Sequence, residues 1–164
     1  MKANTFVAVL LLTCLACTSR QSDQLTQQQK DQIKDELKAI GDSVIARWER
    51  LDAVGALEYY SPDLLVAADS LLIDFQVYKK GWVDFNTSVA SIKVTPIRED
   101  FTFITNDVVI WTWFGKDETT LKTGDKETYN PHTYVSVFKK VAGQWRGIYL
   151  CSSGTPVVQK AGKK

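Results

Sequence analysis

Residues 132–152 read HTYVSVFKKVAGQWRGIYLCS, and this stretch decides the fold. Its first run alternates between two sets of residues, with the period-two spacing of a pleated strand. A short connection that contains Gly143 leads into a second run rich in β-branched and aromatic residues. Two such runs joined in this way predict a long antiparallel hairpin. One set consists of Thr133, Val135 and Val137, and the other of Tyr134, Ser136 and Phe138.

Helical patterns precede this hairpin. From Asp31 onward, apolar residues recur at three- and four-residue steps, which predicts an amphipathic helix of about five turns. Residues 56–60 predict a short second helix, and apolar spacing from Trp82 onward predicts a third. Between these two helices, residues 64–68 and 71–77 predict a strand, a turn and a second strand. The stripe of the first helix consists of Ile33, Leu37, Ile40, Val44, Trp48 and Leu51.

The remaining elements predict sheet. Residues 94–105 and 108–114 form two expected strands, the second with Trp111 and Trp113 on one face. The sequence leaves open whether this face or the alternate face lines a pocket. A charged loop is expected over residues 115–126. This order predicts an α+β domain over residues 31–153, in which three N-terminal helices cover a curved antiparallel sheet of about four long strands and leave a cone-shaped cavity.

Composition narrows the functional classes. The chain has 164 residues and 45% hydrophobic content, enough for one domain with a core. Lys and Arg number 20 against 19 acidic residues, so no basic field is expected to attract nucleic acid. His132 is the only histidine, which excludes a multi-histidine metal site. No phosphate loop, dinucleotide fingerprint or nucleophile elbow is present, and no cofactor is expected.

The first residues predict export and anchoring. Lys2 precedes the apolar run FVAVLLL, and residues 1–16 together indicate a signal peptide. Cys17 at its end resembles the lipobox cysteine of bacterial lipoproteins, so we expect a lipid anchor in the cell envelope. Cys14 is the rival lipidation site, and a secreted protein cut near Ala16 is a further alternative. Residues 17–30 are expected to be a flexible tether and residues 154–164 a disordered basic tail.

Short motifs along the domain carry a family resemblance. The motifs are RWERLD at 47–52 with ALEYYSPD at 56–63, Gly81-Trp82 with Phe85, Asn106-Asp107-Val108, and the terminal hairpin with GQWR at 143–146. Their order resembles the nuclear transport factor 2-like superfamily, which includes ketosteroid isomerase and SnoaL-like proteins. The resemblance implies a cone-shaped pocket and, because members often pair through the exposed sheet face, a homodimer.

The same resemblance suggests a catalytic pair. It implies a general base near the end of the first short strand, where Asp69 is the nearest acid; a solvated turn is the alternative for this residue. His132 begins a strand and is the second candidate for acid–base chemistry, unless it is simply exposed there. The isomerase's oxyanion donors are expected near Arg47 or Trp48 and near Thr133, where this chain has no matching residue. Steroid-type enolisation by that residue set is therefore not expected.

Three functions remain open from the sequence. The favoured one is a cell-envelope lipoprotein that binds a small apolar or aromatic molecule in its pocket without turnover. The second is an isomerase, dehydratase or cyclase that uses Asp69 and His132 for proton transfer. The third is a homodimerising interaction module. Six aromatic residues are the expected ligand-binding set: Trp48, Tyr60, Phe85, Trp111, Trp113 and Tyr134.

Overall fold

A computed structural model describes residues 25–68 and 71–162 of the chain. Its helices and strands form one α+β domain, in which a bent sheet carries the helices on its concave side. In chain order the elements are α1 (Gln27–Glu49), α2 (Ala53–Leu57), β1 (Tyr60–Ala68), β2 (Leu71–Asp74), α3 (Phe75–Asn86), β3 (Val89–Phe103), β4 (Val108–Leu121), β5 (Lys126–Val141), β6 (Gln144–Ser153) and β7 (Val157–Gln159). The predicted fold class is confirmed.

The sheet has the strand order β2-β1-β6-β5-β4-β3, and β7 pairs with β5. Neighbouring strands run antiparallel with one exception, because β1 lies parallel to β6. The four long strands β3 to β6 form the predicted antiparallel sheet, and the parallel pairing of β1 with β6 adds a strand that the sequence did not place. No hairpin joins β1 to β6, so nothing local in the sequence reports their pairing.

The predicted terminal hairpin is confirmed as β5 and β6. Tyr134, Ser136 and Phe138 face the concave side, and Ser136 and Phe138 are buried there. The turn between the strands uses positive φ angles, 49° at Ala142 and 81° at Gly143. Such angles are easy for glycine and match the twist of tight hairpin turns.

Strand β4 is longer than predicted. Buried and half-buried residues alternate along it without a break from Val108 to Asp117, so the expected loop over residues 115–126 is wrong. Gly115 lies in the inner row of this strand. A larger residue would not fit there, because a Cβ would lie 2.1 Å from a ring atom of Trp113. The chain turns only at residues 122–125, where Gly124 has a φ of 89°.

Three helix boundaries differ from the predictions, each because of a cap. Helix α1 starts at Gln27 because Thr26 and Gln29 form a capping box, so the expected tether is wrong for its last four residues. Asp52 accepts a hydrogen bond from the amide of Gly55 and starts α2 earlier than predicted. Asp74 caps α3 in the same way and ends β2 before residue 77. No helix in the described ranges is long and apolar enough to span a membrane.

The tail after β6 is ordered as far as residue 161. Residues 157–159 form β7 and pair with residues 126–128 of β5, where β6 no longer covers that edge. The side chain of Asp125 accepts hydrogen bonds from the amide of Ala161 at 2.8 Å and from Lys160 at 2.9 Å. The prediction of a disordered tail is wrong here, because two β-branched residues, Val157 and Val158, complete an open strand edge.

Helix α1 is fixed to the sheet at both ends of its buried stripe. Near its start, Glu36 accepts hydrogen bonds from the indole of Trp145 at 2.7 Å and from Lys140 at 3.2 Å. The bond from Trp145, with that from Lys140, lowers the pKa of Glu36 below its usual value. Further along, Gly41 lets α1 approach Trp111, since a Cβ would lie 2.1 Å from its ring. The helix therefore lies close to the sheet between Glu36 and Gly41, and its residues from Gly41 to Trp48 contribute to the lining of the cavity.

Candidate functional site

The space between the helices and the concave side of the sheet is a cavity of about 590 Å³. This volume falls within the usual range for small-molecule sites. All six aromatic residues of the expected ligand-binding set line the cavity, and so does His132. Trp111 and Trp113 thus face inward, which settles the choice between the two faces of β4. Their binding of a ligand stays a prediction.

A three-residue polar cluster lies on the inner wall of this cavity. Asp117 of β4 is only 9% exposed, and its Oδ2 lies 2.7 Å from Nδ1 of His132 on β5. The hydroxyl of Tyr134 donates to the same oxygen at 2.8 Å. Two neighbours converge on one oxygen, so the arrangement fits an ionised carboxylate that accepts from both. In that state Nδ1 of His132 carries the proton, and Nε2 of a neutral ring carries the lone pair.

The environment of Tyr134 keeps it a donor. Burial, followed by the negative charge of Asp117, raises the pKa of Tyr134 well above its ordinary value. Its hydroxyl therefore stays protonated at any physiological pH. The ring of His132 is fixed from two sides, since it stacks on Tyr129 at 4.5 Å between centroids and lies 4.2 Å from the ring of Tyr134. The imidazole is thus held in one orientation before any ligand arrives.

The opposite wall of the cavity is aromatic. We call Trp48 of α1 with Tyr78, Trp82 and Phe85 of α3 the aromatic cage, since all four line the cavity. Trp82 is its centre, at 4.2 Å from Trp48, 5.4 Å from Phe85 and 6.2 Å from Tyr78 between ring centroids. The residues of helix α3 that face the cavity are at most half-buried, so the helix acts mainly as a cover over the cavity.

Burial also raises the pKa values of two further tyrosines in the lining, Tyr60 and Tyr78. It raises the pKa of Tyr60 to about 12. Both phenols are therefore neutral, and each is available as a hydrogen-bond donor. Tyr60 owes its position to Gly147, where a Cβ would lie 2.4 Å from the tyrosine ring.

Of the two predicted catalytic residues, the structure describes His132 but not Asp69. His132 lines the cavity and is 12% exposed, so the alternative of an exposed strand end is not what the structure shows. Asp69 lies outside the described residues, as do Cys17 and its rival Cys14, and their roles stay predictions. The acid that meets His132 in the described structure is Asp117.

Sequence reasoning missed Asp117 because it assigned this residue to a loop. A signal was nevertheless present. The row Trp111, Trp113, Gly115 and Asp117 continues the period-two alternation of β4 on its inner face. Gly115, where the expected loop began, does not end the strand; it makes room for the ring of Trp113. Among the described residues, no group of three His, Cys, Asp or Glu side chains is placed to hold a metal ion.

Comparison with known proteins identifies the architecture. The sequence matches no family model, and no characterised protein matches it at a significant level. Solved structures do match. A protein assigned as a scytalone dehydratase from Novosphingobium aromaticivorans has a TM-score of 0.74 at 10% identity, over 85% of this chain and 94% of that one. The chain has the nuclear transport factor 2-like fold.

Two further structures agree with this assignment. Hexachlorocyclohexane dehydrochlorinase from Novosphingobium barchaimii matches with a TM-score of 0.64 at 10% identity, over 80% of this chain and 94% of that one. A protein assigned as a dehydratase of the nuclear transport factor 2-like family, from Streptomyces avermitilis, has a TM-score of 0.65 at 11% identity, over 76% and 97% of the two chains. At such low identity the nuclear transport factor 2-like fold is shared, and the activity has to be argued from this chain's own cavity.

Proposed function

We propose that this domain is an elimination-type lyase that acts on a small, ring-shaped, largely apolar molecule. The observation that carries the proposal is the hydrogen-bonded pair of Asp117 and His132 on the wall of a cavity of about 590 Å³. A histidine oriented by a buried carboxylate is a general base prepared for use. The sequence alone favoured binding without turnover, because this chain lacks residues that match the oxyanion donors of the isomerase.

The chemistry follows from the arrangement. His132 accepts a proton from a substrate carbon through Nε2, and the electrons of that C–H bond form the new double bond. The leaving group on the neighbouring carbon departs with the electrons of its own bond. Asp117 stabilises the imidazolium that forms, and Tyr134 holds the carboxylate in place. The structural neighbours named as dehydratases and a dehydrochlorinase favour elimination over isomerisation within this class.

The test starts from the protein's own ligand and ends with turnover. Native mass spectrometry of the purified protein would identify a co-purified molecule, and a panel of β-hydroxy ring ketones and chlorinated cyclohexanes would be assayed for alkene absorbance and chloride release. We expect turnover of at least one compound, and a loss of about a hundredfold or more in His132→Gln. The Thr133→Val variant, which changes the next residue of β5, serves as the control and should retain activity.

Two results would contradict the enzyme. One is a co-purified ligand that the protein releases chemically unchanged, with no turnover of any compound in the panel. The other is turnover that survives in His132→Gln. The first result would favour the binding protein without catalysis that the sequence suggested.

We also propose that the protein is held at the bacterial cell envelope by a lipid on Cys17. The apolar run before it and the polar residues after it support this assignment. In a bacterial host, the unaltered protein and Cys14→Ser should sediment with membranes and carry acyl chains by mass spectrometry, because two or more chains are needed for stable anchoring. Cys17→Ser should be found in the soluble fraction. A Cys17→Ser protein that remains acylated would assign the anchor to Cys14.

A further inference from the structure

Near the mouth of the cavity, the outer face of the sheet carries charges of both signs, whereas the charged residues of the described inner face are acidic. On the outer face, Glu118 accepts from Lys116 at 2.8 Å, and Lys93 lies directly opposite Glu118 on β3. The next residues inward are acidic: Asp117 and Glu127 line the cavity. In the described part of the lining, no Lys or Arg accompanies them.

Glu127 is the half-buried member of this acidic pair. It lies opposite Thr119 of β4, on the same inner row as Asp117, while its neighbour Lys126 faces the outer side. Among the described residues, no Lys or Arg lies within ion-pair distance of its carboxylate. A carboxylate on a cavity wall without a cation partner attracts positive charge, the more strongly the less water separates the two.

Asp117 adds a second, buried negative charge. Its Oδ2 is saturated by His132 and Tyr134, but its Oδ1 has no hydrogen-bond partner among the described residues. A neutral His132 leaves the charge of this carboxylate uncompensated. The wall of the cavity is therefore negative when His132 is ready to act as a base, and an anionic ligand would be repelled from it.

The facing wall is suited to the same charge. The aromatic cage presents four rings, two of them indoles, and the faces of such rings attract cations through their quadrupoles. A carboxylate wall on one side and an aromatic wall on the other form a site for a molecule that is both apolar and positively charged.

We propose that the cavity selects a ring-bearing amine in its cationic form and rejects the corresponding carboxylic acid. The inference deepens the proposed function, since it names the substrate class of the same site. It rests on the charge of the lining and on the aromatic cage, and it requires no turnover. Binding alone therefore tests it.

Three probes of one shape separate charge from hydrophobicity. The probes 3-phenylpropylamine, 3-phenylpropan-1-ol and 3-phenylpropanoate would be titrated into the purified protein by calorimetry at low ionic strength. We expect the amine to bind about tenfold more tightly than the acid, with the alcohol between them. Added salt should narrow the difference, because it screens charges at the mouth.

A matched pair of variants locates the effect. Glu127→Gln should reduce the preference for the amine by about threefold or more, whereas Glu118→Gln, which removes the same charge from the outer face, should leave it nearly unchanged. Equal binding of amine and acid, tighter binding of the acid, or no binding of any probe would overturn the inference. So would equal effects of the two variants.

The two proposals fail separately. If the amine preference is absent while ring compounds are still turned over, the lyase stands and its substrate is uncharged. If no compound is turned over but the preference is present in both the unaltered protein and His132→Gln, the cavity is an amine-binding site without catalysis.

Discussion

Replacing Asp117 with asparagine is expected to lower turnover by about 10²- to 10⁴-fold. The amide keeps the size of the carboxylate and one acceptor oxygen, so the cavity should retain its shape. It loses the charge that stabilises the imidazolium of His132, and its NH₂ group is able to donate to Nδ1. Such a bond would favour the tautomer with the proton on Nε2, the nitrogen that the proposed reaction needs free. Asp117 acts through His132, as a positioning residue.

The single histidine of the chain makes this effect directly observable. Long-range ¹H–¹⁵N spectra of the imidazole should show the Nδ1–H tautomer in the unaltered protein and a gain of Nε2–H in Asp117→Asn. Tyr134→Phe removes one donor to Asp117 but leaves the pair intact, so it should cost less activity and keep the tautomer. An Asp117→Asn protein with full activity, or with unchanged imidazole signals, would show that the carboxylate does not orient the base.

Replacing Phe138 with alanine is expected to lower the free energy of unfolding by about 3 to 5 kcal/mol. Phe138 is 1% exposed and lies between the ring of Trp111, at 5.9 Å, and that of Tyr60, at 6.4 Å. Its removal joins a new void to the existing cavity, so the surrounding side chains lose contacts that relaxation only partly restores. Urea denaturation followed by tryptophan fluorescence would measure the loss.

The neighbouring residue provides the control for this prediction. Val137 faces the other side of β5 and is half-buried, so Val137→Ala should cost about 1 kcal/mol. If Phe138→Ala lowers the free energy of unfolding by less than about 1.5 kcal/mol, the part of the cavity wall around Phe138 contributes little to stability. The expected result would instead show that Phe138 belongs both to the cavity wall and to the hydrophobic core. Substitutions that change the shape of the cavity at this position would then also lower stability.

Several features of the domain were predictable from periodicity. The stripe from Ile33 to Val44 predicted that α1 lies on the sheet, and the alternation of Tyr134, Ser136 and Phe138 predicted that these three residues share one face of β5. Both patterns depend on the geometry of a single element, which repeats every 3.6 or 2 residues. The ends of elements were less accessible, because caps at Thr26 and Asp74 override the apolar pattern.

The sequence predicted only part of the site. Six of the aromatic residues that line the cavity were identified as a set because they lay on predicted helices and strands, although the sequence left open which face of β4 lies inward. The acid beside His132 was not, because the resemblance directed attention to Asp69 and the true strand end lay beyond Gly115. Continuing the alternation of β4 by one step would have placed Asp117 inside, though without naming its partner.

By itself the sequence determined one α+β domain, its long helix and its terminal hairpin, whereas only the tertiary structure showed that Trp111 and Trp113 face the cavity. Only the tertiary structure decided that Asp117 meets His132, which are 15 positions apart. Their contact depends on the pairing of β4 with β5 and on a register shift between Gly115 and Asp117. It also decided that β1 lies parallel to β6. Strand register and pairing are fixed by packing between distant segments, and a local pattern carries no record of which segments those are.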